Sequence, residues 1–216
     1  MTAASAVIWD VDGVLIDSEP LHLEAMRALL KDRGVAFADS DNSRWLGHSL
    51  NEIWDGMPEL RGCGLTFEQV LETWIDYYID HVDATMARDP APAVVGALAT
   101  RGVPQAAASS SPRRIVLASV AAVGVADLLG AIRAREDVAR GKPAPDLYLA
   151  AARALKVSPG ACLAIEDTEA GVAAARAAGL RVIAWPNEMT AGMDFSAADA
   201  IVEDIGALDW MALVEN

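Results

Sequence analysis

Residues 161–185 read ACLAIEDTEAGVAAARAAGLRVIAW, and this stretch decides the fold. An apolar run at 161–165 ends on two acids, an alanine-rich segment at 170–178 stops at Gly179, and 181–185 is apolar again. Two short apolar runs separated by one helix-length segment make the repeating unit of a parallel sheet covered on both faces. The alternation extends along the chain. Helices are expected at 93–100, 113–123, 146–156 and 170–178, and strands at 104–108, 161–165, 181–185 and 200–202, with a first buried strand at 6–10. Residues 16–85 break the pattern. They read as helices at 20–33 and 67–83, with Ser18 able to cap the first, Pro20 in its first turn, Gly34 ending it, and Thr66 opening the second. The expected architecture is an α/β, doubly wound parallel-sheet core from residues 1–15 and 86–216. A small all-helical domain at 16–85 is inserted after the first strand and returns through the proline-rich ARDPAPAVV.

The bulk composition narrows the function classes. The chain has 216 residues, 53% hydrophobic and 22% charged, which suits a globular protein with a sizeable core. Its net charge of −14 argues against nucleic acid as a partner. No apolar stretch approaches the roughly 20 residues of a membrane span, and the first residues lack the basic start of a secretory signal. Cys63 and Cys162 form no CxxC pair, and a reducing, cytoplasmic setting is the expectation. Residues 16–85 carry 14 acids and 5 bases, a net −9, so the helical insertion is the more acidic part.

In open parallel sheets ligands bind beyond the carboxyl ends of the strands, near the point where strand order reverses. Asp10 and Asp12 follow the first strand, Ser109, Ser110 and Ser111 follow the second, and Glu166 and Asp167 follow the strand at 161–165. Lys142, in GKPAPD, is one of only three lysines and sits in a loop before a helix. Each group has a plain alternative: an Asp-Gly turn, a helix start, acids favoured at a helix N-terminus, or a solvated loop lysine. Together, four carboxylates, a hydroxyl and a lysine on one rim call for more. Clustered carboxylates suit a hard divalent cation such as Mg²⁺, and a hydroxyl with an ammonium suits a phosphate. One carboxylate can attack phosphorus while its neighbour moves the proton.

The motifs DVDGVLIDSEPLH, AASSS, GKPAPDLY and IEDTEAGVAAARAAG, in that order, resemble the haloacid dehalogenase superfamily. Within it they look like the phosphoglycolate phosphatase and β-phosphoglucomutase-like branch with a small helical cap. The resemblance covers essentially the whole chain. It implies a Rossmann-like core and a Mg²⁺-dependent phosphatase acting on a small phosphomonoester through an aspartyl-phosphate. Asp10 would be the nucleophile and Asp12 the general acid and base. Ser109 would bind the transferring phosphoryl group, with Ser110 as the other candidate hydroxyl, and Lys142 would bridge that group and the nucleophile. Asp10, Asp167 and the main-chain carbonyl of Asp12 would hold Mg²⁺, with Glu166 helping directly or through water. Backbone N–H groups of the turn from Val11 to Gly13, and of Ser110, would cradle phosphate oxygens.

WLGHSLNEIW, residues 45–54, looks like the cap loop that reaches the substrate, with Gly47 and His48 as candidate contacts. His22, on the first cap helix, is another; a packed or hydrogen-bonded histidine is its plain alternative. Mutases of the family carry an arginine where Leu50 stands and a further cap lysine, and residues 66–85 contain none. β-Phosphoglucomutase-like phosphoryl transfer is therefore the alternative reading. A phosphate-binding protein without catalysis is a second. The acidic cap favours a neutral leaving group such as a sugar or polyol. The expected partner is a small-molecule phosphate ester, not nucleic acid or a membrane, and the expected state is a monomer or weak dimer.

Overall fold

The computed structural model of the chain describes residues 3–31, 33–35 and 50–214. Its strands are β1 (Ala6–Trp9), β2 (Gln105–Ala108), β3 (Ala131–Arg133), β4 (Cys162–Glu166), β5 (Arg181–Ala184) and β6 (Ala200–Ile201). They form one sheet in the order β3-β2-β1-β4-β5-β6, and every pairing is parallel. This is the expected doubly wound α/β fold. The order reverses at β1, whose two neighbours are β2 and β4, so the carboxyl end of β1 lies at the switch point.

β1 reads AVIW and is buried at every position, as a strand flanked on both sides and covered on both faces must be. Side-chain alternation then splits its two faces. Ala6 and Ile8 join a core with Ala106, Ala108, Cys162, Ala164 and the apolar side of α7 (Asp146–Leu155), which contributes Leu147, Tyr148, Ala151 and Ala152. On the opposite face Trp9 stands 5.6 Å from the Trp210 ring and donates from Nε1 to Gln105 Oε1 at 2.9 Å. Gln105 in turn donates to the carbonyl of Val95, on helix α5 (Ala91–Thr100), at 3.0 Å. A buried glutamine thereby satisfies an indole and a helix carbonyl at once.

Contacts divide the chain into two compact units, Met1–Asp17 with Asp83–Asn216, and Ser18–Val82. The second unit pairs α1 (Glu19–Lys31) with α4 (Phe67–His81). Leu21, Ala25, Met26, Leu29 and Leu30 make the buried stripe of α1, and Val70, Trp74, Ile75 and Tyr78 that of α4. Thr66 caps α4 in a capping box: its hydroxyl accepts from Gln69 N, and Gln69 Oε1 accepts from Thr66 N. Two short helices, α2 (Leu50–Gly56) and α3 (Pro58–Arg61), occupy ground that the sequence reading left without helix. The segment 45–54 is therefore helical from Leu50 onward rather than a loop throughout.

The remaining helices of the first unit are α6 (Arg113–Ala122), α8 (Glu169–Ala177) and α9 (Trp210–Leu213). Among the described residues no helix is long and apolar enough to cross a membrane. β3 escaped the sequence reading because it is three half-buried residues with no alternation to detect.

Replacing Gln105 by Leu should leave the Trp9 indole N–H buried without an acceptor. The expected loss is about 1–3 kcal/mol of unfolding free energy by urea titration, and an unchanged midpoint would contradict the bridging role.

Candidate active site

Alternation places the first carboxylates. Ile8 pairs with Ala164 in the β1–β4 register, and Asp10 and Glu166 lie two residues beyond each. Both therefore point to the α7 side of the sheet, at neighbouring strand ends. Asp10 N still donates to Ile165 O at 3.0 Å, so the ladder carries one residue past the end of β1. Lys142 enters from the loop before α7. Its Nζ lies 2.8 Å from Asp10 Oδ1 and 2.5 Å from Glu166 Oε1, with the lysine side chain only 7% exposed. Ser110 Oγ accepts from Lys142 N at 3.3 Å and so ties this loop to the end of β2.

Asp12 takes a different direction. Residues 11–16 form a tight turn in which Gly13 N donates to Ile16 O and Leu15 N to Val11 O. The Asp12 carboxylate meets the serine run, with Ser109 Oγ at 3.1 Å and Ser111 Oγ at 2.6 Å, both donating to Oδ2. Ser111 N also donates to Ser109 Oγ at 2.9 Å. The structure thus brings Asp10, Asp12, Ser109, Ser110, Lys142, Glu166 and Asp167 to one rim.

Two N–H groups of the expected backbone cradle are engaged within the chain. Gly13 N–H is already engaged by Ile16 O, and Val11 N–H by Asp10 Oδ1 at 2.7 Å. Gly13 supplies room instead. Its φ is +75°, and a Cβ there would stand 2.0 Å from Asp167 Oδ2. Gly171 does the same for Glu166, whose carboxyl lies 2.0 Å from where that Cβ would be.

Glu166 is fully buried and saturated. Oε1 accepts from Lys142 Nζ and the Tyr148 hydroxyl, while Oε2 accepts from Asp167 N at 3.2 Å and Thr168 Oγ at 3.3 Å. Asp167 is also buried. Asn187 Nδ2 donates to its Oδ2 at 3.0 Å, but its Oδ1 has no hydrogen-bond partner among the described residues. Arg88 braces the surrounding loops. It donates to the carbonyls of Gly13, Trp185 (3.0 Å) and Pro186 (2.8 Å), and its guanidinium lies 3.5 Å over the Trp185 ring.

Burial, then the Glu166 charge, push the Asp10 carboxyl well above the usual carboxylate range, against the pull of Lys142. Burial also raises Asp167, with Asp10 and Glu166 adding to it and Arg88 and Lys142 opposing. Burial disfavours the Lys142 ammonium, but Asp10 and Glu166 outweigh it and hold the group protonated above its ordinary range. Three carboxylates around one ammonium leave a surplus of negative charge. Asp10, Glu166 and Asp167 each offer an oxygen, all within 4.8 Å of one another. With the orphaned Asp167 Oδ1, this all-oxygen donor set fits a hard divalent cation.

Of the expected substrate contacts, His22 packs within the helical unit. Its ring lies 4.9 Å from that of Trp74 and 4.7 Å from that of Tyr78, the plain packed alternative. Gly47 and His48 lie outside the described residues. The sequence reading passed over Tyr148, Arg88 and Asn187, and named Ser111 only as part of the serine run. Tyr148 stands in GKPAPDLY, where the lysine drew the attention. Asn187 follows β5, and the rule that ligands collect at strand ends would have pointed to that loop. Arg88 offered no signal beyond its place in the return segment.

The molecule is thus a doubly wound parallel sheet with acidic strand ends and a lysine at its switch point. The family model for haloacid dehalogenase-like hydrolases matches residues 4–179, and the chain belongs to that family as a hydrolytic enzyme. It is 34% identical over 221 residues to Protein CbbY of Rhodobacter capsulatus, covering 97% of each chain. It is 30% identical to a phosphorylated carbohydrates phosphatase of Thermotoga maritima, covering 82% of this chain and 83% of that one. The crystal structure of CbbY from Rhodobacter sphaeroides in complex with phosphate shares its fold, with a TM-score of 0.87 at 24% identity, covering 97% and 99% of the two chains.

Raised carboxyl groups in the folded state release protons on unfolding, so the cation-free protein should lose stability as pH rises above the ordinary carboxylate range. A divalent cation reverses this. Added Mg²⁺ should raise Tm more at about pH 8 than at about pH 5.5. Equal shifts at both values in thermal melts would contradict the cation-fitting reading.

Proposed function

We propose that this chain is a Mg²⁺-dependent phosphatase that hydrolyses a small phosphomonoester through an aspartyl-phosphate on Asp10. The observation that carries the reading is the Lys142 ammonium set between Asp10 and Glu166, beside Asp12, Ser109 and Asp167. Asp10 attacks phosphorus, and the bond from phosphorus to the leaving oxygen breaks. Asp12 gives that oxygen a proton, then takes one from a water that attacks the phosphoryl group and restores Asp10. Asp10 and Asp167, with the Asp12 main-chain carbonyl and Glu166 directly or through water, would hold Mg²⁺, which supplies positive charge to the phosphoryl oxygens. Lys142 contributes further positive charge and pulls the Asp10 carboxyl toward its ionised form, against burial and Glu166.

Ser109 has two tasks in this scheme. Its hydroxyl donates to Asp12 at rest and turns to the phosphoryl group when substrate binds. Losing one donor raises the proton affinity of Asp12 at the moment it must carry a proton. Ser111 Oγ continues to donate to Asp12 Oδ2.

Residues 1–15 and 86–216 are the catalytic core in this reading, and 16–85 the cap that selects the substrate. A cap with net charge −9 favours a neutral leaving group, so the proposed substrate class is a sugar or polyol phosphate. The Thermotoga relative, named for phosphorylated carbohydrates, supports the same class. The mutase alternative lacks its cations: Leu50 is a buried apolar residue of α2, and no lysine occurs at 66–85.

Asp10→Asn should lower kcat on p-nitrophenyl phosphate at least about 10³-fold while the chain still folds, because Glu166 continues to pair with Lys142. Retained turnover would contradict the nucleophile assignment. Across a panel, kcat/KM should favour sugar and polyol phosphates, and a clear preference for phosphoglycolate would contradict the substrate class.

A further inference from the structure

Tyr148 is the largest group at this rim without a role in the scheme above. It is fully buried in the first turn of α7, and it reaches out of the apolar core with a single polar atom. That hydroxyl donates to Glu166 Oε1, the same oxygen that takes the Lys142 ammonium. Lys142 Nζ also lies 5.3 Å from the centre of the Tyr148 ring, within reach of its π face. Tyr148 therefore touches both partners of the Lys142–Glu166 pair.

The rest of the Glu166 shell closes around it. Its other oxygen takes Asp167 N and Thr168 Oγ, and its carboxyl fills the space that a side chain at 171 would need. Glu166 thus has four donors and no room to swing toward α8. Asp167 is the reverse case, with a buried oxygen that meets no donor.

We propose that Tyr148 is a positioning residue that fixes Glu166 as the buried anchor of Lys142, leaving side-chain coordination of the cation to Asp10 and Asp167. The inference rests on the phosphatase reading for what Lys142 does, but its cation arm does not. If Tyr148 let go, Glu166 Oε1 would be free to turn toward the cation and Lys142 would lose its fixed height above Asp10. The chemical step would suffer while cation binding would not.

Tyr148→Phe keeps the ring and removes only the hydroxyl. The expected result is a fall of about tenfold in kcat on p-nitrophenyl phosphate, with KM moving less than about threefold. Mn²⁺ binding to the substrate-free variant, read by electron paramagnetic resonance, should be no weaker than in the wild type. In the same titration Asp167→Asn should abolish Mn²⁺ binding, and Glu166→Gln should weaken it by no more than about 10–100-fold. An unchanged kcat in Tyr148→Phe would overturn the positioning role, as would Mn²⁺ binding lost in step with kcat and Tm. Mn²⁺ binding abolished by Glu166→Gln would overturn the division of labour. A wild type inert toward every phosphate ester would sink the phosphatase reading alone, and the Mn²⁺ comparison would still decide the place of Glu166.

Discussion

Asp10 and Glu166 stand at neighbouring strand ends, both shielded from water, and the ammonium of Lys142 is what lets them share that space. Two buried carboxylates this close would otherwise push one another toward the protonated form. Breaking a buried pair by removing one partner costs about 3–5 kcal/mol, because the charge left behind has no water to turn to. Lys142 is therefore both a structural tie between the loop before α7 and the sheet and a source of charge at the point where chemistry would occur. The surplus negative charge beyond it, with Asp167 Oδ1 unmatched, is what a divalent cation answers.

That arrangement depends on residues with little or no side chain. β2 reads QAAA, and its alanines let α7 approach the sheet closely enough for Tyr148 to reach Glu166. Gly13 leaves the space that the Asp167 carboxylate fills, and Gly171 the space for that of Glu166. Arg88 then binds three carbonyls from two separate loops, the turn after β1 and the segment after β5, which also carries Asn187 to Asp167. Carboxylates that repel are held in place by loops that cannot spread apart.

Much of this was legible in the sequence because the signals were of long period or high chemical contrast. The alternation after residue 93 reported a parallel sheet, and acids ending apolar runs reported its active rim, since Asp10 and Glu166 follow directly from strand parity. Lys142 stood out in a chain with three lysines. What escaped detection shares a physical cause. Tyr148 and Arg88 act through partners brought together by the fold, so nothing in their local neighbourhood marks them. β3 and α3 are too short for a period to be read. The turn from Val11 to Gly13 reads in the sequence as offering its N–H groups to a ligand, but the chain spends two of them on itself, through Ile16 O and Asp10 Oδ1.

The claim at the centre is that Asp10 accepts the phosphoryl group next to a cation that it shares with Asp167. A crystal structure of the protein grown with Mg²⁺ and beryllofluoride, a mimic of the transferred phosphoryl group, tests it most directly. The account predicts beryllium bonded to an Asp10 carboxylate oxygen, Lys142 and Ser109 turned to the fluorides, and an ion bridging Asp10 and Asp167. Asp10 oxygens left free, with no ion beside Asp167, would contradict it.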